Sequence, residues 1–183
     1  MTDSREEMFV DCDIKSIDAS SVSTGDSART EQLLMNENIG SGVHIARVRY
    51  GNGDYTTTTR QWNTIEVGPV ADGTPSKEHA IIGFKLLKSN HSYCPNTRIF
   101  LNYVEKHIDF YSISPIAKNE SISWDYTTSE YEMDECFSDW KSGKPCQGFK
   151  FLPEEDQKRM VVAGEVTPHV YSQYYKKKVL VKE

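Results

Sequence analysis

The sequence predicts a mainly β chain with a little α, an α+β fold in which short strands far outnumber helices. Three observations carry this expectation. Several runs alternate apolar and polar residues and are rich in Val, Ile, Thr and aromatic side chains, as half-buried strands require. Clusters of Gly, Pro, Asn and Ser punctuate those runs. Only one stretch carries the boundary chemistry of a helix. With 183 residues, 37% of them hydrophobic and 11% aromatic, the chain is long enough to bury a core, and one folded domain is the expected unit.

The elements follow in order along the chain. "MFVDCDI" (8–14) alternates well enough for a strand, whereas "DASSVSTGDSARTE" (18–31) is small and polar and reads as loop or disorder. "SGVHIARVRYG" (41–51) alternates Val43, Ile45, Ala46 or Val48, and Tyr50 with polar partners, and "TTTTRQWNTIEVG" (56–68) is dense in β-branched and aromatic residues; both read as strands. The loop "GPVADGTPSKEH" leads to the apolar segment "AIIGFKLL". "TRIFLNYVEKHIDFYSISPI" (97–116) reads as a β-hairpin around Glu105-Lys106-His107, and "ESISWDY" (120–126) as another short strand. "PEEDQKRMVVAGE" (153–165) has proline in its first turn, acids near its N-terminus and Gly164 near its end, which predicts a helix. The lysine-rich end "YYKKKVLVKE" reads as a solvated terminus.

Composition excludes some functions. A net charge of -6 argues against direct nucleic-acid binding through phosphate neutralisation, which needs a basic surface. No run is apolar enough to span a bilayer, and the acidic start "MTDSREEMF" lacks a signal-peptide core. A soluble, intracellular protein of the cytoplasm or nucleus is expected, with no membrane partner. Without a secretory signal, Cys12, Cys94, Cys136 and Cys146 are expected as free thiols or metal ligands, not as a disulfide framework.

Taken singly, the polar motifs say little. His91, in "SNHSYCPN", could be a base or a ligand, but a histidine beside Asn and Ser is more often a hydrogen-bonded structural residue. Gly40-Ser41-Gly42 offers a turn whose backbone could approach a cofactor closely, though it is not a full dinucleotide fingerprint. Tyr126, Glu130 and Tyr131 cluster in "DYTTSEYEM", a pattern common at sheet edges.

Their order is more telling. Gly40-Ser41-Gly42-Val43, then Asn90-His91-Ser92-Tyr93-Cys94-Pro95-Asn96, then Asn119-Glu120-Ser121-Ile122-Ser123-Trp124-Asp125-Tyr126 resembles the SET-domain methyltransferase family, whose members read G-x-G-V-F-A, N-H-S-C-x-P-N and G-E-E-hydrophobic-x-x-D-Y. The resemblance runs from about residue 38 to 170 and is nearest to short members without reader domains. It implies a SET-domain fold of small β-sheets, with a knot-like crossing of the Asn-His-Ser and Asp-Tyr segments. It also implies domain divisions: an N-terminal strand and polar loop (1–37), a SET-like core (38–132), a degenerate post-SET-like region with a helix (133–170) and a basic tail (171–183). The implied cofactor is S-adenosylmethionine, lying against Gly40, Gly42, Asn90 and His91, with Tyr126 lining the methyl-transfer channel. The implied substrate is a lysine-containing protein or another amine.

The departures from the family pattern concern metal. In the zinc-binding version a cysteine directly after Asn-His-Ser joins three of the tail in M-x-x-P-F-x-C-x-C-G-S-x-x-C-x-G. Here "MDECFSDWKSGKPCQG" matches at Met133, Phe137 and Gly148, but the tail cysteine positions hold Asp139, Lys141 and Cys146, and Tyr93 takes the fourth. A closed thiolate site needs its full soft-ligand set, so no zinc is expected. A rearranged site on Cys94, Cys136 and Cys146 is the remaining metal alternative. Asn119 stands where the family has a turn glycine, and "LLKS" replaces an Arg-Phe-x before Asn90, removing an arginine that would pair with the methionine carboxylate. Two other readings therefore stand beside the methyltransferase: a SET-fold enzyme acting on a small molecule in a biosynthetic pathway, by methylation, cyclisation or isomerisation, and a non-catalytic binding module.

Overall fold

The computed structural model describes residues 6–17, 30–50, 56–59, 61, 64–69, 77–83, 85–139 and 141–180. In chain order the strands are β1 (Glu6–Met8), β2 (Cys12–Ile17), β3 (Thr30–Met35), β4 (His44–Arg49), β5 (Thr56–Thr57), β6 (Thr64–Pro69), β7 (Lys77–Ile81), β8 (Asn90–His91), β9 (Thr97–Asn102), β10 (His107–Ser112), β11 (Ser123–Trp124), β12 (Phe137–Ser138) and β13 (Pro145–Cys146). Two helices follow, α1 (Glu154–Val162) and α2 (Pro168–Leu180). The fold is mainly β with a little α, in five small sheets. The chain divides into two compact units: Met1–Tyr50, Ile82–Asp125 and Trp140–Ser142 form the first, and Gly51–Ile81, Tyr126–Asp139 and Gly143–Glu183 the second.

The first unit is built on the antiparallel sheet β1-β4-β10-β9. Ala46 faces Phe110 and Val48 faces Ile108 across the β4–β10 pair, while Ile99 and Leu101 extend the same face on β9. That row closes on a core with Leu33, Met35, Leu86, Ile116, Ile122 and Trp124, and the Phe110 and Trp124 rings meet edge to face at 6.1 Å. The uneven alternation around Ile45 and Ala46 has a cause in the register, which slips between Phe110 and Tyr111, so that Ile45 and Ala46 are both fully buried. On the other face Asp109 accepts two hydrogen bonds from Arg47, at 2.7 and 3.0 Å, and lies 2.9 Å from His44 Nε2 and 3.1 Å from His107 Nε2. Burial alone would raise the Asp109 carboxyl. The Arg47 hydrogen bonds, the charges of His107 and Arg47 and the His44 contact outweigh it and hold Asp109 below its ordinary range. The hairpin expected around Glu105-Lys106-His107 is present as β9 and β10, turning through Lys106 at φ 55, although His107 already belongs to β10.

The second unit carries the sheet β5-β7-β6 and both helices. Its apolar cluster joins Phe149, Met160, Val161, Val170 and Tyr174, with Tyr131, Leu152 and Val166 packed around it. Helix α1 follows Pro153, takes Glu154, Glu155 and Asp156 in its first turn and stops before Gly164 at φ 64, as the sequence predicts. Gln157 ties it down by donating to the Lys150 and Leu152 carbonyls.

Five readings of the sequence are corrected. "MFVDCDI" is not one strand: β1 pairs with β4 and β2 with β3, so the chain changes sheet between Met8 and Cys12. "TTTTRQWNTIEVG" is likewise divided into β5 and β6, each paired to β7 and not to the other. The loop ahead of "AIIGFKLL" ends early, since β7 already includes Lys77, Glu78 and His79. The chain's end forms a second helix. Thr167 accepts the first intrahelical bond from Tyr171, Pro168 stands at its first position, and His169, Val170 and Tyr174 form the buried side, while Lys176 and Lys177 are solvated. "ESISWDY" keeps only Ser123–Trp124 as a strand, with Ser121 bridging Leu34. The polar stretch 18–31 lies outside the described residues up to 29, and β3 begins at Thr30.

Candidate functional site

The glycine turn is organised by one serine. Ser112, at the end of β10, donates through Oγ to the Gly40 carbonyl at 2.7 Å and accepts the Val43 amide on the same oxygen at 2.8 Å. Its backbone carbonyl accepts the Gly42 amide at 2.8 Å. Gly42 sits at φ 79, a conformation L side chains rarely adopt, and a Cβ on either Gly40 or Gly42 would meet no atom within 4 Å. The turn therefore presents a backbone face with open space before it.

The residue after Ser112 meets the end of the Asn-His-Ser-x-x-Pro-Asn segment. The Ile113 amide, next after Ser112, donates to the Asn96 carbonyl at 2.9 Å. Asn90 and His91 form β8, which pairs in parallel with Ser123 and Trp124 of β11. The Asn90 amide donates to Ile122 O at 3.2 Å and the Ser92 amide to Trp124 O at 3.1 Å. Asn96 pins the crossing with its side chain: Nδ2 donates to Ser121 O at 2.8 Å and to Glu120 at 3.2 Å, while Oδ1 accepts the Ser123 amide at 2.9 Å. Trp124 Nε1 donates to Ser89 Oγ at 3.2 Å, which completes the tie between the two segments. Asn119, at φ 65, occupies the left-handed conformation that the glycine it replaces would take, and asparagine tolerates it.

Within this crossing His91 is buried, with Nδ1 3.7 Å from Asp125 Oδ1 and its ring edge-on to Tyr93 at 4.5 Å. Those contacts suit a packed structural histidine better than an exposed base. In the Asn90 side chain Nδ2 is buried, and among the described residues it finds no hydrogen-bond partner. Leaving such a donor unsatisfied costs about 1–3 kcal/mol, which marks it as a group able to receive an acceptor from a bound molecule. Four of the five sequence-predicted residues, Gly40, Gly42, Asn90 and His91, lie in the first unit. Ser112 and Asn96 are the organisers that sequence reasoning missed. Asn96 had a signal, because it closes the quoted Asn-His-Ser-x-x-Pro-Asn motif; Ser112 had none, because its role depends on a contact 72 residues away in the chain.

Tyr126, the fifth, opens the second unit in the 3-10 turn Tyr126–Thr128. Burial first, then the charges of Cys146 and Glu130, push its phenol well above the ordinary tyrosine range. It is a neutral hydrogen-bonding group at any physiological pH, not a base. Its ring lies 6.0 Å from Phe137.

At the positions of the family's zinc thiolates, Tyr93 packs on His91, Asp139 is buried, Lys141 is exposed and Cys146 is buried. No disulfide joins the four cysteines; Cys12 and Cys146 are buried, Cys94 and Cys136 exposed. Among the described residues no three of His, Cys, Asp and Glu converge to hold a metal ion, and no helix is long and apolar enough to cross a membrane.

No protein-family model matches the sequence, and no curated protein matches it. Among solved structures the chain is similar to the Neurospora SET-domain protein DIM-5, a histone lysine methyltransferase, at 17% identity and a TM-score of 0.38 over 61% of this chain. It is also similar to a Plasmodium falciparum protein described as a candidate histone methyltransferase, at 14% identity and a TM-score of 0.35, covering 63% of this chain and 93% of that one. The chain spans about half of the length of the Neurospora chain, 54%.

Proposed function

We propose that this protein is a SET-type, S-adenosylmethionine-dependent methyltransferase acting on a lysine or another amine. The observation that carries the reading is the parallel β8–β11 crossing pinned by Asn96, because it joins the Asn-His-Ser and Asp-Tyr segments that the family resemblance rests on. The residues of the first unit fit the cofactor: the Gly40–Gly42 turn leaves open space at its backbone, and the buried Asn90 amide has a donor to spare. Gly40, Gly42, Asn90 and His91 would hold it, His91 as a positioning residue. When bound, S-adenosylmethionine supplies an electrophilic methyl group on sulfur.

The remaining work falls to the chain. An in-line displacement gains from fixed orientation of the reacting groups, and a crossing built from buried side chain–backbone bonds is a rigid support for that. A lysine ammonium must shed its proton before attack, and a desolvated site favours the neutral amine. Tyr126, as an un-ionised phenol, can hydrogen-bond and orient that amine.

A second reading, a SET-fold enzyme acting on a small molecule, is favoured by the substitution of the thiolate positions with Tyr93, Asp139 and Lys141, since in the family the metal-tied tail forms a wall of the protein-substrate channel. Calorimetry with S-adenosylmethionine and S-adenosylhomocysteine tests the first reading. Saturable binding by both is expected, and Tyr126→Phe should lower turnover while leaving cofactor affinity nearly unchanged. No heat from either ligand at millimolar concentration rules the methyltransferase out.

A further inference from the structure

We propose that Glu130 is the positioning residue of Tyr126, its buried carboxylate latching the Tyr126 turn to β6 and carrying negative charge into that turn. The inference rests on the methyltransferase reading for the role it gives Tyr126, and on the second unit's geometry for the rest. The turn is short and would be loose if left to its own backbone, because a 3-10 turn satisfies few of its own groups. The Ser129 and Glu130 amides both donate to the Tyr126 carbonyl, at 3.1 and 2.8 Å, and the Phe149 amide donates to the Glu130 carbonyl at 2.8 Å. His169 of α2 donates through Nε2 to the Ser129 carbonyl at 2.6 Å.

The side chain adds a tie that backbone bonding does not explain. Glu130 is buried, with 5% of its surface exposed, and Oε1 accepts the Glu66 amide at 2.8 Å. Glu66 lies at the register slip of β6 against β7, where the ladder is interrupted, and its own carboxylate accepts from Gln173 of α2 at 3.0 Å. A buried carboxylate placed on a bulge amide costs desolvation that an apolar residue would avoid. Its return is a fixed Tyr126 turn and a local negative charge. That charge disfavours ionisation of the phenol and favours a cationic amine approaching it.

The test uses the full chain labelled with carbon-13 at tyrosine Cζ, with the Tyr126 signal identified by its loss in Tyr126→Phe. In the native protein Tyr126 should ionise above the ordinary tyrosine range. Glu130→Gln keeps an acceptor for the Glu66 amide but removes the charge, so the Tyr126 titration should move to lower pH. Glu130→Ala removes the latch, and the Glu66 amide should exchange its hydrogen about tenfold faster while β9 and β10 are unaffected. An unchanged Tyr126 titration in Glu130→Gln overturns the proposal, as does unchanged Glu66 exchange in Glu130→Ala; should the alanine variant fail to fold, the glutamine titration decides alone. Both readings are taken without cofactor. Failure to bind S-adenosylmethionine would therefore remove the methyltransferase reading and leave the Glu130 result standing.

Discussion

The β8–β11 crossing and the β12–β13 hairpin are held together in different ways. In the crossing, Asn96 is the pin, hydrogen-bonding through its side chain to Glu120, Ser121 and Ser123 of the facing segment. In the hairpin, the thiolate positions carry Asp139 and Lys141, and what holds the strands is backbone bonding: Asp139 N to Lys144 O at 2.8 Å, Gly143 N to Asp139 O at 2.7 Å and Met133 N to Gln147 O at 2.9 Å. Gly148 allows close approach there, since a Cβ would come within 2.9 Å of the Glu132 backbone. The residues beyond it build an apolar cluster from α1 and α2. The difference teaches that two small sheets of one chain can be held by different means, one by a side-chain pin between crossing segments, the other by backbone bonds beside an apolar helical cluster.

The largest expected effect sharpens the second half of that comparison. Phe149→Ala removes a fully buried ring from the α1–α2 cluster and should cost about 3–5 kcal/mol, read by urea denaturation. A cost within about 1 kcal/mol would mean that something else holds this region. Next comes the crossing: Asn96→Ala leaves the buried Ser121 carbonyl and Ser123 amide without their partner and should cost about 2–3 kcal/mol in the same assay.

A smaller effect is expected from the Asp109 cluster. Its folded carboxyl ionises below the ordinary value of 3.8, so the stability it contributes is fully present above about pH 4 and is lost as pH falls through the folded value. The gap in denaturation midpoint between the native protein and Asp109→Asn should accordingly be widest at neutral pH and shrink in acid. A gap that grows in acid would reverse the assignment. Smallest of all, a strong chelator should leave the melting temperature unchanged, because Asp139 and Lys141 cannot complete a thiolate site; a fall of several degrees would point to a metal on the remaining cysteines.

Much of this was legible in the sequence where the signal was local. The β9–β10 hairpin and α1 announce themselves by alternation and by helix-boundary chemistry, and Gly40, Gly42, Asn90 and His91 by motif. Helix α2 was hidden because, among its described side chains, His169, Val170 and Tyr174 alone are buried, set among tyrosines and lysines that carry little amphipathic contrast; the Thr167-Pro168 start was its one clear mark. The division of 8–14 between two sheets could not be read at all, since β1 and β2 differ in partner and not in pattern. Ser112 escaped for the same reason, acting on Gly40 across a long stretch of chain, and Glu130 was visible only as part of a polar cluster because its tie to Glu66 is equally remote.

The central claim is that the buried Asn90 amide and the open glycine turn hold S-adenosylmethionine. The most direct measurement follows the Asn90 side-chain amide signals by nitrogen-15 NMR during titration with S-adenosylhomocysteine. The account predicts a saturable shift of those signals together with the Gly40 and Gly42 amides. Signals that stay unmoved at millimolar ligand would contradict it.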